Sequence, residues 1–236
     1  MTRRRWIADK VEGDRAFLVD NNANHLFRVL RAQAGQQYDV VADGVARLGT
    51  ITFASPDKVE FHLGEEIAAE ALPEISVYLS IFKFDHMEWA IEKLTELGVT
   101  RIVPMVATRT SHHLIKAAEK RVERWRKIAK EASQQARRVS PPEIADSVKL
   151  EKAVEAVTGA RIVLSEMEES VALKTALAGK QPPVAMAFGP EGGWTEEEIA
   201  LFKNHGWQSA KLGHTILRAE TAAIAAVAVT LAEIGT

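Results

Sequence analysis

Two glycine-bearing segments hold the groups best suited to chemistry. They are Phe188-Gly189-Pro190-Glu191-Gly192-Gly193-Trp194-Thr195 and Leu212-Gly213-His214-Thr215-Ile216-Leu217-Arg218-Ala219-Glu220-Thr221-Ala222. Each follows a strand-like apolar run and leads into a helix-like one. Open α/β sheets bind ligands at the carboxyl ends of their strands, so two such loops point to one pocket built from both.

Charge says what the first loop binds. A glycine-rich turn opening a helix ordinarily cradles phosphate, through free N–H groups and the helix dipole. Here Thr195 reads as the N-cap, Glu196 to Glu198 fill the first turn, and Thr195 with Glu198 fits a capping box. Those carboxylates already satisfy the dipole, and Glu191 adds a further negative charge inside the loop. Neither GxGxxG nor GxxxxGK[ST] occurs. The loop therefore suits a neutral or cationic ligand lying against backbone, with Gly189, Gly192 and Gly193 allowing close approach. A tight turn without a ligand is the alternative for either loop alone.

The elements that must position these loops change character near residue 72. Before it, strands are predicted over 15–19, 38–42, 46–53 and 59–63, with an Asp43-Gly44 hairpin signal between two of them. A short helix over 25–32 interrupts them, and the whole reads as a small β-barrel domain over 1–72. Leu72-Pro73-Glu74 is the linker. The second domain, 73–236, alternates strands (75–81, 101–106, 161–164, 183–188, 208–211) with helices (86–97, 117–138, 170–177, 195–204, 219–234). Such alternation predicts an α/β fold, a mostly parallel sheet with helices on both faces.

With 47% hydrophobic and 26% charged residues the chain is of ordinary globular type, and its longest apolar run, 222–232, is too short to span a membrane. Basic residues at the N-terminus are followed by no apolar segment, so no secretory signal is expected. The chain has no cysteine, which excludes disulfides and thiolate chemistry and fits a reducing, cytoplasmic setting. His112 and His113 lack partners at metal-ligand spacing, so no metal is expected. Residues 101–138 carry eleven basic side chains against three acidic ones, on a chain of net charge −2. That local excess points to a nucleic-acid backbone as partner; a solvated helix face is the bland alternative.

Taken in order, these motifs resemble the SPOUT methyltransferases, and more narrowly the bacterial 16S ribosomal RNA (uracil-N3)-methyltransferases. Besides the two loops, the resemblance rests on His25-Leu26-Phe27-Arg28-Val29-Leu30-Arg31, on Met87-Glu88-Trp89 through Glu92-Lys93-Leu94-Thr95-Glu96-Leu97-Gly98 with Pro104, and on Arg124-Trp125 through Ile128-Ala129-Lys130-Glu131-Ala132. It spans essentially the whole chain. Phe84-Asp85-His86 departs from the pattern, where the family often has a more glycine-rich or basic turn.

The resemblance implies a PUA-like N-terminal barrel, a C-terminal SPOUT domain with a deep trefoil knot, a homodimer, and S-adenosylmethionine as cofactor. Periodicity alone predicts an unknotted sheet. By resemblance the cofactor lies against Phe188, Gly189, Pro190, Glu191, Gly192 and Gly193, and against Leu212, Gly213, Ile216, Leu217, Thr221 and Ala222. Its cationic sulfonium suits the acidic loop. Arg218 is the candidate to orient the uracil and stabilise the developing imidate. Glu220 either accepts the N3 proton or caps the last helix. The target base must be unpaired or extruded, because N3 lies on its pairing edge. His25, Arg28 and Arg31, on one side of the predicted helix, would contact RNA together with Arg3 to Arg5, with a satisfied surface or packing histidine an equal alternative for His25, and Arg109 would face the substrate. The partner implied is 16S rRNA in the small subunit. Another RNA or base as target, or an idle RNA-binding module, are the competing readings.

Overall fold

A computed structural model of the chain describes residues 4–155 and 157–234, so Arg3 lies outside the described residues. The chain forms two compact units. One comprises 1–71 with 133–141, the other 72–132 with 142–236. Residues 133–141, which periodicity assigned to the second domain, group with the first. Their attachment is specific: Arg5 N donates to Gln134 O at 3.0 Å, Ile7 N to Gln134 Oε1 at 3.2 Å, and Arg137 Nη2 to Asp39 Oδ2 at 2.8 Å.

The first unit contains six strands, β1 (Trp6–Ile7), β2 (Lys10–Glu12), β3 (Arg15–Val19), β4 (Gln37–Ala42), β5 (Val45–Ala54) and β6 (Lys58–Glu66). They pair in the order β1-β4-β5-β6-β3-β2, antiparallel except for β1 with β4. Trp6, Leu18, Leu26, Ile51 and Phe61 fill its core. Asp43 (φ 50°) and Gly44 (φ 81°) make the tight turn read from the sequence. The helix expected over 25–32 is different: α1 (Asp20–Asn24) runs directly into a π-helical turn, His25–Val29. Arg31 lies beyond it in the left-handed region, at φ 53°. The wider π turn removes the spacing that aligned His25, Arg28 and Arg31.

The second unit is a seven-stranded, all-parallel sheet flanked by helices. Its strands are β7 (Ile75–Ser80), β8 (Arg101–Val106), β9 (Glu143–Ile144), β10 (Val148–Lys149), β11 (Ala160–Leu164), β12 (Val184–Phe188) and β13 (Gln208–Ala210). The order is β10-β8-β7-β12-β11-β13, with β9 also on β8. Its helices are α2 (Phe84–Glu96), α3 (His112–Ala118), α4 (Val122–Gln135), α5 (Leu150–Glu155), α6 (Leu173–Leu177), α7 (Glu196–Asn204) and α8 (Ala219–Ile234).

Alternate strand residues point to opposite faces. Ile75, Val77 and Leu79 of β7, with Val184, Met186 and Phe188 of β12, meet α2, α4, α6 and α8; Tyr78, Ala185 and Ala187 meet α5 and α7. Each fully buried large apolar side chain stabilises by roughly 1.5–3 kcal/mol, so the two cores hold the strand ends firmly. The single helix predicted over 117–138 is replaced by α3, a 3₁₀ turn (Glu119–Arg121) and α4. α4 ends because Arg137 takes a left-handed conformation (φ 58°), and Arg138 N then donates to Ser133 O at 2.9 Å.

Candidate functional site

The β12 strand ends on buried Phe188, and the chain turns through Gly189 to Gly193. Gly193 has φ +70° and its N–H donates to Pro190 O at 2.9 Å, closing a tight turn that a side chain would strain. Trp194 anchors the turn: its indole lies against Gly189, and its Nε1 donates to Leu164 O at 2.8 Å, at the end of β11. Arg109, from the loop after β8, donates to Gly192 O at 2.7 Å and to Trp194 O at 3.2 Å. Arg109 therefore braces the glycine loop through Nη1, and its side chain stays exposed.

α7 opens with the capping box read from sequence. Glu198 N donates to Thr195 Oγ1 at 3.2 Å and Thr195 N to Glu198 Oε2 at 2.9 Å. The other oxygen of Glu198, Oε1, accepts Thr108 N at 2.7 Å. One buried carboxylate thus caps a helix and holds the loop after β8.

The second loop, 212–218, leaves β13 beside the segment that leaves β11. Lys211 N donates to Val171 O at 2.9 Å and Leu173 N to Lys211 O at 2.8 Å. Leu212 packs against the core, while Ile216, 87% exposed, and Leu217 face outward. Arg218 is exposed, and its guanidinium has no hydrogen bond or ion pair among the described residues.

These loops enclose a cavity of about 670 Å³, within the usual range for ligand sites. Of the residues predicted for the site, Phe188, Gly189, Pro190, Glu191, Gly193, Leu212, Gly213, Ile216, Leu217, Arg218, Glu220 and Ala222 line it; Gly192 and Thr221 do not. His25, Arg28 and Arg31 belong to the first unit. There His25 is half-buried, its ring 6.0 Å from that of Trp6, while Arg28 and Arg31 are exposed.

Sequence reasoning missed a third wall and a side wall. The loop after β11 contributes Ser165, Glu166 and Glu168, and the approach to α2 contributes Lys83 and His86. Glu168 accepts from Ser170 Oγ (2.6 Å), Ser170 N (2.9 Å) and Val171 N (3.0 Å). Those bonds, the Ser170 hydroxyl first, hold its carboxyl at about 2. Glu220, on the first turn of α8, is buried, and its Oε1 lies 3.4 Å from His86 Nδ1. The strand-to-helix connection after β11 could have been found from the alternation alone; no glycine marks it. Four lining carboxylates (Glu166, Glu168, Glu191, Glu220) face three cations (Lys83, Lys211, Arg218).

The basic excess over 101–138 is largely spent inside the protein. Glu88 accepts from Arg121 and from both Arg124 nitrogens, and Arg126 binds Glu123, Asp146 and Ile144 O. Arg101 pairs with Glu143, and Arg138 is buried. Lys116, Lys120 and Lys127 stay exposed with no hydrogen bond or ion pair among the described residues.

A parallel α/β unit with glycine loops closing a half-acidic cavity over its strand ends has the form of a small-molecule-binding domain. Residues 70–231 match the model of the RNA methyltransferase domain family. The ribosomal RNA small subunit methyltransferase E of Bacillus subtilis is 31% identical over 89% of this chain and 87% of that protein. That of Synechocystis is 33% identical over 89% and 71%. Among solved structures, the Neisseria gonorrhoeae ribosomal RNA small subunit methyltransferase E bound to S-adenosyl methionine superposes with TM-score 0.86 at 27% identity, covering 96% of this chain and 95% of that one. A Legionella pneumophila methyltransferase in complex with the same cofactor gives TM-score 0.84 at 28% identity, covering 98% and 96%. The chain belongs to the RNA methyltransferase domain family, in the branch named ribosomal RNA small subunit methyltransferase E.

Proposed function

We propose that this protein transfers a methyl group from S-adenosylmethionine to N3 of a uridine in small-subunit 16S rRNA. The observation that carries this reading is the cavity over β11, β12 and β13, in a chain whose cofactor-bound relatives align over nearly its full length. The lining suits the cofactor. Phe188, Leu212 and Leu217 offer apolar surface, the two loops offer backbone groups, and a Cβ at Gly213 would meet nothing within 4 Å. Glu191 and Glu220 supply negative charge for a cation.

Bound there, S-adenosylmethionine supplies an electrophilic methyl group on a positively charged sulfur. The loops from 188 to 193 and 212 to 217 hold its adenosine and methionine parts. Arg218, with its guanidinium free at the mouth of the cavity, orients the uracil and stabilises the negative charge that grows as N3 loses its proton. Much of the rate comes from holding N3 in line with the methyl group.

The same reading gives the first unit a PUA-like barrel that presents RNA. Its two edge strands, β1 and β2, are consecutive stretches of one segment, which brings the two edges of the sheet near each other in sequence. It also gives the second unit a trefoil knot. β13 lies at the sheet edge, yet α8 packs on α2, α6 and β12, and its Ala222, Ala223, Ala225, Ala226 and Ala228 permit a close crossing. A homodimer is supported by exposed Trp89, Ile216 and Leu217 and by α8, whose only charges are Glu220 and Glu233. No described helix is long and apolar enough to cross a membrane; we place the protein in the cytoplasm with its substrate.

The test is methyl transfer from labelled cofactor to small subunits lacking their own modification, mapped by reverse transcription. A single new stop at a uridine, reduced about 10²–10³-fold in Arg218→Ala, supports the reading. Cofactor binding with no stop moves the target to another RNA or base. Neither binding nor a stop leaves an RNA-binding module.

A further inference from the structure

His86 lies in the wall of the cavity and is not accounted for by cofactor binding. It stands at the start of α2, where the chain departs from the pattern it otherwise resembles, and opposite the first turn of α8. Its Nδ1 is 3.4 Å from Oε1 of Glu220, a carboxylate whose side chain is only 5% exposed, while the imidazole is 28% exposed and faces the cavity. Asp85 also approaches the ring, its Oδ2 3.8 Å from Nε2, but from an exposed side chain, whereas the Glu220 carboxylate is buried and nearer. The buried contact favours a proton on Nδ1 and leaves Nε2 as the ring atom open to the cavity. The contact is a charge contact at hydrogen-bond range, and catalytic contacts commonly tighten when the ligands bind.

Resting on the function proposed above, we infer that His86 is the general base of the reaction and that Glu220 is the residue that positions it. The N3–H bond of the uracil breaks and its proton passes to Nε2 of His86. The N3 electron pair forms the new N–C bond to the methyl group, and the S–C pair returns to sulfur, leaving a neutral thioether. The imidazolium so formed is stabilised by Glu220.

The other lining groups are worse placed to take this proton. Glu168 is held by three hydrogen bonds that keep it ionised. Glu191 is exposed and faces Lys83 Nζ at 4.0 Å. Glu166 is exposed, and His214 sits on the exposed second loop with no hydrogen bond or ion pair among the described residues. The charged groups around His86 are Lys83 before α2, Asp85 on α2 (Oδ2 3.8 Å from Nε2), Glu191 on the first loop, and Arg218 and Glu220 around the start of α8. Arg121 and Arg124, near the same end of α2, are committed to Glu88.

The experiment compares wild type with His86→Asn, His86→Lys and Glu220→Gln, in cofactor binding by calorimetry and in single-turnover methylation against pH. In parallel, ¹⁵N NMR of the ligand-free protein reads the tautomer of His86. Wild type should show a rate with an acid limb that His86→Asn lacks, and the NMR should find the His86 proton on Nδ1. His86→Asn should bind cofactor normally yet lose about 10²-fold in rate near neutrality, the ordinary scale of general base catalysis. That loss should shrink as the pH approaches the ionisation of the uracil itself. Glu220→Gln removes the buried carboxylate that positions the ring, so cofactor binding should stay while the rate falls and the Nδ1-protonated tautomer loses its preference. His86→Lys keeps a cation beside Glu220 but supplies no neutral base, and should be as slow as His86→Asn. Full activity in His86→Lys would show the role to be charge pairing alone, and an Nε2-protonated tautomer in wild type would overturn the assignment. If wild type binds cofactor but methylates no uridine, it is the proposed function that fails.

Discussion

Glu168 shows how a single pocket carboxylate is fixed by its own loop. The hydrogen bonds from the Ser170 hydroxyl and from Val171 N and Ser170 N depress its pKa from the ordinary 4.5 to about 2. A group whose pKa is lower when folded contributes stability above its unfolded value and loses it as the pH falls through the folded one. The loop 165–171 should therefore be fully ordered at neutral pH and loosen between about pH 4.5 and 2. Hydrogen exchange at the Ser170 and Val171 amides, corrected for intrinsic rates, reads this directly. Protection should fall across that window in wild type, and should be low and flat in Glu168→Gln. Undiminished protection at pH 2 would mean the loop is held by something else. At this scale the sequence was legible where backbone conformation demanded glycine and in placing Arg218 and Glu220 at the cavity. Glu168 was illegible because nothing local marks it, and the departure at Phe84-Asp85-His86 did not show that His86 reaches the cavity; only the strand order brings their loops together.

α7 carries a signal that was readable because it is local. Thr195 and Glu198 are three residues apart, and the capping box they imply forms in full. The second bond of Glu198, to Thr108 N, comes from a different strand's loop and no local pattern predicts it. The two roles separate by mutation. Thr195→Ala removes one cap bond and should cost about 1 kcal/mol. Glu198→Ala removes the reciprocal cap bond and strands the Thr108 amide, and should cost about 2–3 kcal/mol. Denaturant titration of both variants checks the ranking; equal losses would mean that water replaces the Thr108 bond. The same contrast explains the elements that were missed. β9 and β10 are two-residue strands that exist only by pairing with β8, and the π turn at 25–29 has no sequence marker. The 219–234 helix, by contrast, is announced by an unbroken run of small and apolar residues.

Across the whole molecule, net charge and local charge give different answers about RNA. The chain is nearly neutral, at −2, and the one strongly basic stretch is mostly consumed by its own ion pairs. A count along the sequence cannot see this, because Glu88 and Asp146 lie outside the stretch and reach it only through the fold. If the second unit meets a phosphate backbone through this region, the cations available are Lys116, Lys120 and Lys127. Each contact to single-stranded RNA contributes about 0.7 to the slope of log K against log salt. Replacing all three by Gln should therefore make that slope shallower by about 2 and weaken binding most at low salt. Arg124→Ala should leave the slope unchanged. It would instead release Glu88, whose carboxyl Arg124 now holds below its ordinary range, and so destabilise the packing of α4 against α2. Filter binding over a salt series separates the two cases. A slope that falls for Arg124→Ala and not for the lysine variant would mean that RNA competes for the ion pairs themselves, opening the arginines only when it binds.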